Sequence, residues 1–248
     1  MGPTPPVTIV VPHYGADHTT ADALYARSLA VGLRNRGCTV FVVTPCFSNG
    51  NSLGIKTIDD IDVYHCPRLI PTLHPLDTVA SVLTRSLPGS TLLSKAYMFA
   101  RGPVLSRITW RSVLNPRALD LVVFISLYST LTLHGLPCVR HRSILVPMID
   151  NEPRVAARWA RKLLAMPQAI VVRSVAERDA IQRGLSPGSS PPVVLFEPHT
   201  DASKEGNAQS AEWRHYEQAA RALMTGGSVA SALTNGIPAP SCNPTGNT

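Results

Sequence analysis

Between residues 7 and 201, short and nearly continuous apolar runs alternate with stretches whose apolar positions recur at helical spacing. Val7-Thr-Ile-Val-Val-Pro12 is the first run, of the kind expected from a strand buried on both faces. A loop from His13 to His18 follows. Ala21, Leu24, Tyr25, Ser28, Leu29, Gly32 and Leu33 then mark the packing face of a helix from Thr19 or Thr20 to Arg36. Gly37 is placed to cap that helix, and Arg34 and Arg36 suit its negative end. Thr39-Val-Phe-Val-Val-Thr44 is the second buried run, so the first 44 residues hold a βαβ unit with a right-handed crossover.

The polar turn Ser48 to Gly54 leads to a third strand at Ile61-Asp-Val-Tyr-His65. Residues 72–115 read as mostly helical, punctuated by Pro88-Gly89 and Gly102-Pro103. Further strands are expected at Asp120–Ser126, Ser143–Met148, Ala169–Arg173 and Pro192–Phe196. A basic helix from Glu152 to Met166 and another from Val175 to Arg183 lie between the later strands. The fold class is therefore α/β: a Rossmann-like, doubly wound, mainly parallel sheet over residues 1–201. Residues 202–224 read as a polar linker and a short helix, Glu212 to Leu223. Residues 225–248 are rich in Gly, Ser, Asn, Pro and Thr, and are expected to form a disordered tail.

Charge and cysteine usage narrow the setting. A formal net charge of +7 suggests anionic partners, with a merely solvated basic surface as the alternative. Aromatics make up 6% of the chain, which argues against a base-stacking surface and so against nucleic acid. The five cysteines are scattered without a CxxC pair, so neither a disulfide framework nor a zinc site is supported. Met1 to Pro6 carries no charged segment before an apolar run, and no run approaches the ~20 apolar residues of a spanning helix. A cytoplasmic protein, peripheral to the inner face of the membrane if it docks there, is the expectation.

The loop Pro12-His-Tyr-Gly-Ala-Asp-His-Thr-Thr20 contains one glycine, Gly15, whereas a dinucleotide site needs several for close approach of the backbone to a pyrophosphate. No NAD, FAD or other cofactor is expected, and neither a P-loop, an Asp-x-Asp motif nor a G-x-S-x-G elbow occurs. The same loop does concentrate donors and acceptors at a helix N-terminus. Tyr14, Gly15, Asp17, Thr19 and Thr20 are candidate ligand-binding residues there, while Asp17 to Thr20 serving as a helix cap is the structural alternative. Asp150, Asn151, Glu152 and Arg154 follow the fifth expected strand on the same edge. They could bind an acceptor hydroxyl, with Asp150 as the catalytic candidate; alternatively Glu152 stabilises the next helix dipole and Arg154 is solvated. Ser174 and Glu177 have capping-box spacing. Lys95, Arg101, Arg107 and Arg111, and then Arg154, Arg158, Arg161 and Lys162, form basic groups suited to an anionic membrane surface or to snorkelling from a packed helix.

Several segments in order add a family resemblance. Leu29-Ala30, Leu33, Arg36-Gly37 and Val40 are followed by Ile61-Asp-Val-Tyr64 with Pro67-Arg-Leu69, and then by Leu119-Asp-Leu-Val-Val123. Ala169-Ile-Val-Val-Arg-Ser-Val-Ala-Glu-Arg-Asp179 and Val193-Val-Leu-Phe-Glu-Pro-His-Thr-Asp201 complete the series. Together, over about residues 5 to 201, the chain resembles the N-terminal, acceptor-side domain of the family 4 glycosyltransferases of GT-B architecture. The resemblance implies transfer of a sugar from a nucleotide-sugar to a glycan or lipid-linked acceptor, with a donor-domain partner chain completing the site.

The chain departs from the family at several places. The family's Gly-Gly pair and nearby acidic residue fall on Thr20, Ala21 and Ala23, and its cleft histidine falls on or beside Ile149, next to Asp150. Its linker Asn-Gly appears as Pro198-His199, and no donor-domain region with an E-x-F/Y-G segment follows. Trp213 to Leu223 faintly resembles the closing helix of such enzymes. The departures keep a second reading open, that of a non-catalytic binding or scaffold subunit, or truncated relative, docking at a membrane surface.

Overall fold

The computed structural model describes residues 4–15, 19–45, 54–66, 120–149, 158–185, 191–196 and 202–234. Within them one 8-stranded sheet is built from β1 (Pro6–Val10), β2 (Thr39–Pro45), β3 (Gly54–Ile58), β4 (Ile61–Cys66), β5 (Leu121–Ile125), β6 (Ser143–Val146), β7 (Ala169–Val172) and β8 (Val193–Leu195). The spatial order is β3-β4-β2-β1-β5-β6-β7-β8, and every neighbouring pair is parallel except β3 with β4. The described helices are α1 (Ala21–Asn35), α2 (Thr130–Val139), α3 (Arg158–Leu164), α4 (Val175–Gly184), α5 (Ala202–Met224) and α6 (Val229–Thr234). The expected doubly wound α/β fold is what the chain adopts.

The near-continuous apolar runs are explained by two-sided burial. Val7, Ile9, Val42, Val63, Val123 and Val171 face the layer of α1, α5 and α6. Val10, Phe41, Val43, Phe124, Leu145 and Val172 face α2, α3 and α4. Thr8 is the polar exception within β1, and its hydroxyl donates to Asp120 Oδ2 at 2.6 Å. Arg142, also buried, donates to the Asp120 carbonyl at 2.8 Å, which pins the start of β5. Helix α1 closes as its sequence suggests: Gly37 has φ +79, its N–H donates to Arg34 O at 2.8 Å, and that of Cys38 donates to Leu33 O at 3.0 Å.

Two elements were not anticipated. Gly54–Ile58 forms the edge strand β3, joined to β4 by Asp59 and Asp60, both in the left-handed region at φ 52 and 56. That is the geometry of a tight primed hairpin turn. Arg27 on α1 holds the turn through two bonds to the Asp59 carboxylate, at 2.7 and 3.2 Å. Helix α2 contains Thr, Gly and an internal Pro137, all weak helix signals. It forms because Ser129 caps it, accepting from Leu131 N at 3.2 Å, and because Leu131, Leu136 and Val139 are buried against the sheet.

The C-terminal expectation requires correction. Residues 202–210 are not a linker but the first turns of α5, which runs unbroken to Met224. Within the expected tail, Val229–Thr234 is the helix α6, with Val229 and Leu233 buried. Trp213, Tyr216, Ala219 and Ala220 are buried with α1 and the sheet in a single cluster. Local polarity concealed this, since an amphipathic helix declares its stripe but not the surface that will receive it.

Candidate functional site

From β1 the sheet extends through β2 and β4 on one side, and from β5 through β6, β7 and β8 on the other. The order therefore reverses between β1 and β5, and open α/β sheets bind ligands at the carboxyl edge of such a reversal. The backbone there is unusual. Ser126 follows β5 with φ +74 and Met148 follows β6 with φ +53. Non-glycine residues adopt this region at a cost, and such residues concentrate at functional edges. Ser126 is held by its N–H donating to Val146 O at 2.9 Å and by its carbonyl accepting from Thr132 Oγ1 at 2.7 Å.

The loop between β1 and α1 supplies the described candidates. Gly15 has φ +136, a conformation that favours glycine, so the chain can bend there into the helix. Thr19 and Thr20 are exposed. Thr20 is the N-cap in extended conformation, yet its hydroxyl makes no capping bond and only its carbonyl accepts, from Leu24 N at 3.0 Å. Of the first-turn N–H groups, that of Ala23 donates to Asp22 Oδ1 at 3.0 Å, and the exposed Thr19 and Thr20 hydroxyls stand beside this helix start, a setting for an anionic or hydroxyl-bearing group.

Tyr14 is placed otherwise. Its side chain is 3% exposed, packed among α1 and the sheet, and its hydroxyl has no partner among the described residues. Burial pushes the phenol up to about 12, with Asp59 adding to the rise and Arg27 opposing it. Asp17, Asp150, Asn151 and Arg154 lie outside the described residues. The chain leading into Asp150 is nevertheless anchored, because Ile149 N donates to Glu177 Oε1 at 2.8 Å. Glu177 also accepts from Arg173 N at 2.8 Å, while Ser174 Oγ accepts from Glu177 N at 3.0 Å. The Ser174 arm of the capping arrangement is present, and the Glu177 arm reaches past the cap to tie β6 to β7.

A cluster that spacing alone did not single out lies between α1 and α5. Tyr25 Oη donates to Glu212 Oε1 at 2.5 Å and stands 3.0 Å from Tyr216 Oη. The guanidinium of Arg173, immediately after β7, lies over the Tyr25 ring at 4.8 Å. Burial raises the Glu212 carboxyl to about 7, against the opposing effects of the Tyr25 hydrogen bond and the Arg173 charge. The available signal was a tyrosine hydroxyl within the packing face of the first helix and a glutamate one residue before a tryptophan. Among the described residues no group of His, Cys, Asp and Glu is arranged to hold a metal ion. No described helix is long and apolar enough to cross a membrane.

No protein-family model matches the chain, and no curated protein matches it in sequence. Among solved structures it is similar to a piece of the sucrose-phosphate synthase of Thermosynechococcus elongatus carrying the segments 27–220 and 406–426. The TM-score is 0.56 at 14% identity, covering 88% of this chain and 99% of that piece. Against the sucrose-phosphate synthase of that organism the TM-score is 0.50 at 10% identity, covering 79% of this chain and 48% of the synthase. The chain thus spans about half the length of that enzyme. At these identities the likeness concerns the fold alone, a Rossmann-like α/β sheet with flanking helices.

Proposed function

We propose that the chain is the acceptor-side half of a nucleotide-sugar-dependent glycosyltransferase of GT-B type, with the donor-binding half lying outside these 248 residues. The observation that carries the reading is the return of α5 onto α1, which closes one core from sequence-distant segments. The solved neighbour is itself a two-segment piece, and this chain covers 99% of it. That supports equating α5 with the second segment, and a neighbour named for making sucrose phosphate supports a sugar acceptor. The exposed Thr19 and Thr20 at the start of α1 would bind acceptor hydroxyls, and Asp150 would act on the attacking one. Donor recognition belongs to the other half.

The test is a binding and turnover panel on the purified chain with UDP-, GDP- and TDP-sugars and with candidate sugar acceptors. The reading expects acceptor binding without donor binding, and sugar transfer only when a donor half is added. Tight donor binding or turnover by the chain alone would overturn the division of labour. Failure to bind any sugar acceptor would favour the scaffold reading, in which the fold is kept for docking.

A further inference from the structure

Arg173 is the first residue beyond β7, and the alternation that buries Ala169 and Val171 on the α1 and α5 side sends its side chain to that side. From the carboxyl edge of the sheet it reaches α1, where its guanidinium lies over the Tyr25 ring, 4.8 Å from the centroid. That ring is a fixed platform. Its hydroxyl donates to Glu212 Oε1 and stands 3.0 Å from Tyr216 Oη, and the ring packs against Trp213 at 6.1 Å between centroids. The contact engages the cation's charge and leaves its N–H donors to find acceptors elsewhere. Among the described residues they find none. Arg27, Arg36, Arg142 and Arg178, also partly or fully buried, donate to Asp59, Glu217, the Asp120 carbonyl and Asp179. The Glu212 carboxylate feels the charge of Arg173 but takes its hydrogen bond from Tyr25. A partly buried guanidinium left without an acceptor is matched to an oxyanion, which it grips through two parallel N–H···O bonds.

We propose that Arg173 is an anion-binding residue, which takes the phosphate or carboxylate group of a small hydroxylated ligand entering at the carboxyl edge between α1 and β7. Tyr25 holds the guanidinium in place, so the fork is ordered before the ligand arrives. The start of α1 sets the ligand's other end. Asp22 in the first turn bonds Ala23 N, and its charge keeps an anion from the helix head, so the neutral hydroxyl end belongs there. Thr20, whose exposed hydroxyl makes no capping bond, precedes Tyr25 by roughly 7.5 Å along the helix axis. A single sugar ring bearing a phosphate or a carboxylate bridges such a length. As an anion site Arg173 stands on its own geometry; as the place of an acceptor's anionic group it rests on the acceptor-side reading above. The competing role, a countercharge for Glu212 alone, gives no gain in affinity from an anion on the ligand.

Calorimetric titration of the full chain with glucose, glucose 6-phosphate and glucuronate tests the site. At least one of the anionic sugars is expected to bind about tenfold to a hundredfold more tightly than glucose, and which one does so names the anion. Arg173→Gln is expected to erase the preference. Arg214→Gln, which removes an exposed positive charge from α5, is expected to keep it. Glucose bound as tightly as both anionic sugars, a preference that survives Arg173→Gln, or one lost equally in Arg214→Gln overturns the proposal. The first of these outcomes leaves the acceptor-side reading standing. If no sugar binds, that reading falls instead, and the Arg173 Nε–H resonance decides the anion site: a shift on titration with inorganic phosphate supports it, and an unmoved resonance overturns it. The same resonance, assigned by its disappearance in Arg173→Lys, serves where Arg173→Gln fails to fold. Vesicles containing phosphatidylinositol separate the two sources of phosphate, since tighter binding to them than to glucose 6-phosphate, still dependent on Arg173, puts the anion on a lipid headgroup.

Discussion

A Cβ at Gly32 would lie 2.3 Å from the Trp213 indole, and that ring is buried between α1 and α5. Gly32→Ala is expected to destabilise the fold by about 1–3 kcal/mol through overpacking, which thermal unfolding would report as a drop of a few degrees. The opposite outcome is expected at Tyr14. Its buried hydroxyl has no described partner, so Tyr14→Phe removes an uncompensated polar group. Melting at an unchanged or slightly higher temperature is the expected result, and a clear loss would show that the hydroxyl has a role. Both residues were visible in the sequence as members of a packing face or a loop, but neither local pattern reveals a neighbour. Gly32 faces a residue 181 positions later, and Tyr14 packs inward from a loop whose sequence is mostly polar.

Elements at the carboxyl edge are held by a few directed bonds. Glu177→Ala would leave the N–H groups of Ile149 and Arg173 without their acceptor, at a cost of about 2–4 kcal/mol. Ser174→Ala removes only a helix cap and should cost about 1 kcal/mol. Urea unfolding of the two variants checks the difference. If acceptor chemistry lies at Asp150, Glu177→Ala should also weaken acceptor binding, because the segment entering that residue loses its anchor. The strands of this edge were legible, since a run such as Leu121–Ile125 is apolar at every position. Strand β3 was not legible, because it alternates between half-buried and exposed positions and is defined by its pairing with β4. Helix α2 was missed because its capping and burial outweigh a sequence containing Gly135 and Pro137.

For the molecule as a whole, α5 and α6 belong to the core. A chain ending at residue 201 would lose the cover that Trp213, Tyr216, Ala219, Ala220, Val229 and Leu233 give to α1 and the sheet. Such a chain is expected to aggregate or to lose cooperative unfolding, as size-exclusion chromatography and thermal melts would show. The sequence by itself determined the parallel α/β sheet, the βαβ start and the helix that opens beside the loop of Thr19 and Thr20. Those features follow from burial patterns and caps that are complete within a few neighbouring residues. Only the tertiary structure decided that α5 closes the domain, that Tyr14 turns inward and that Glu212 meets Tyr25 across 187 positions of chain. The physical reason is that a helix encodes the width of its apolar stripe locally, while the surface that covers it, and the dielectric its charges then feel, arise only when distant segments meet.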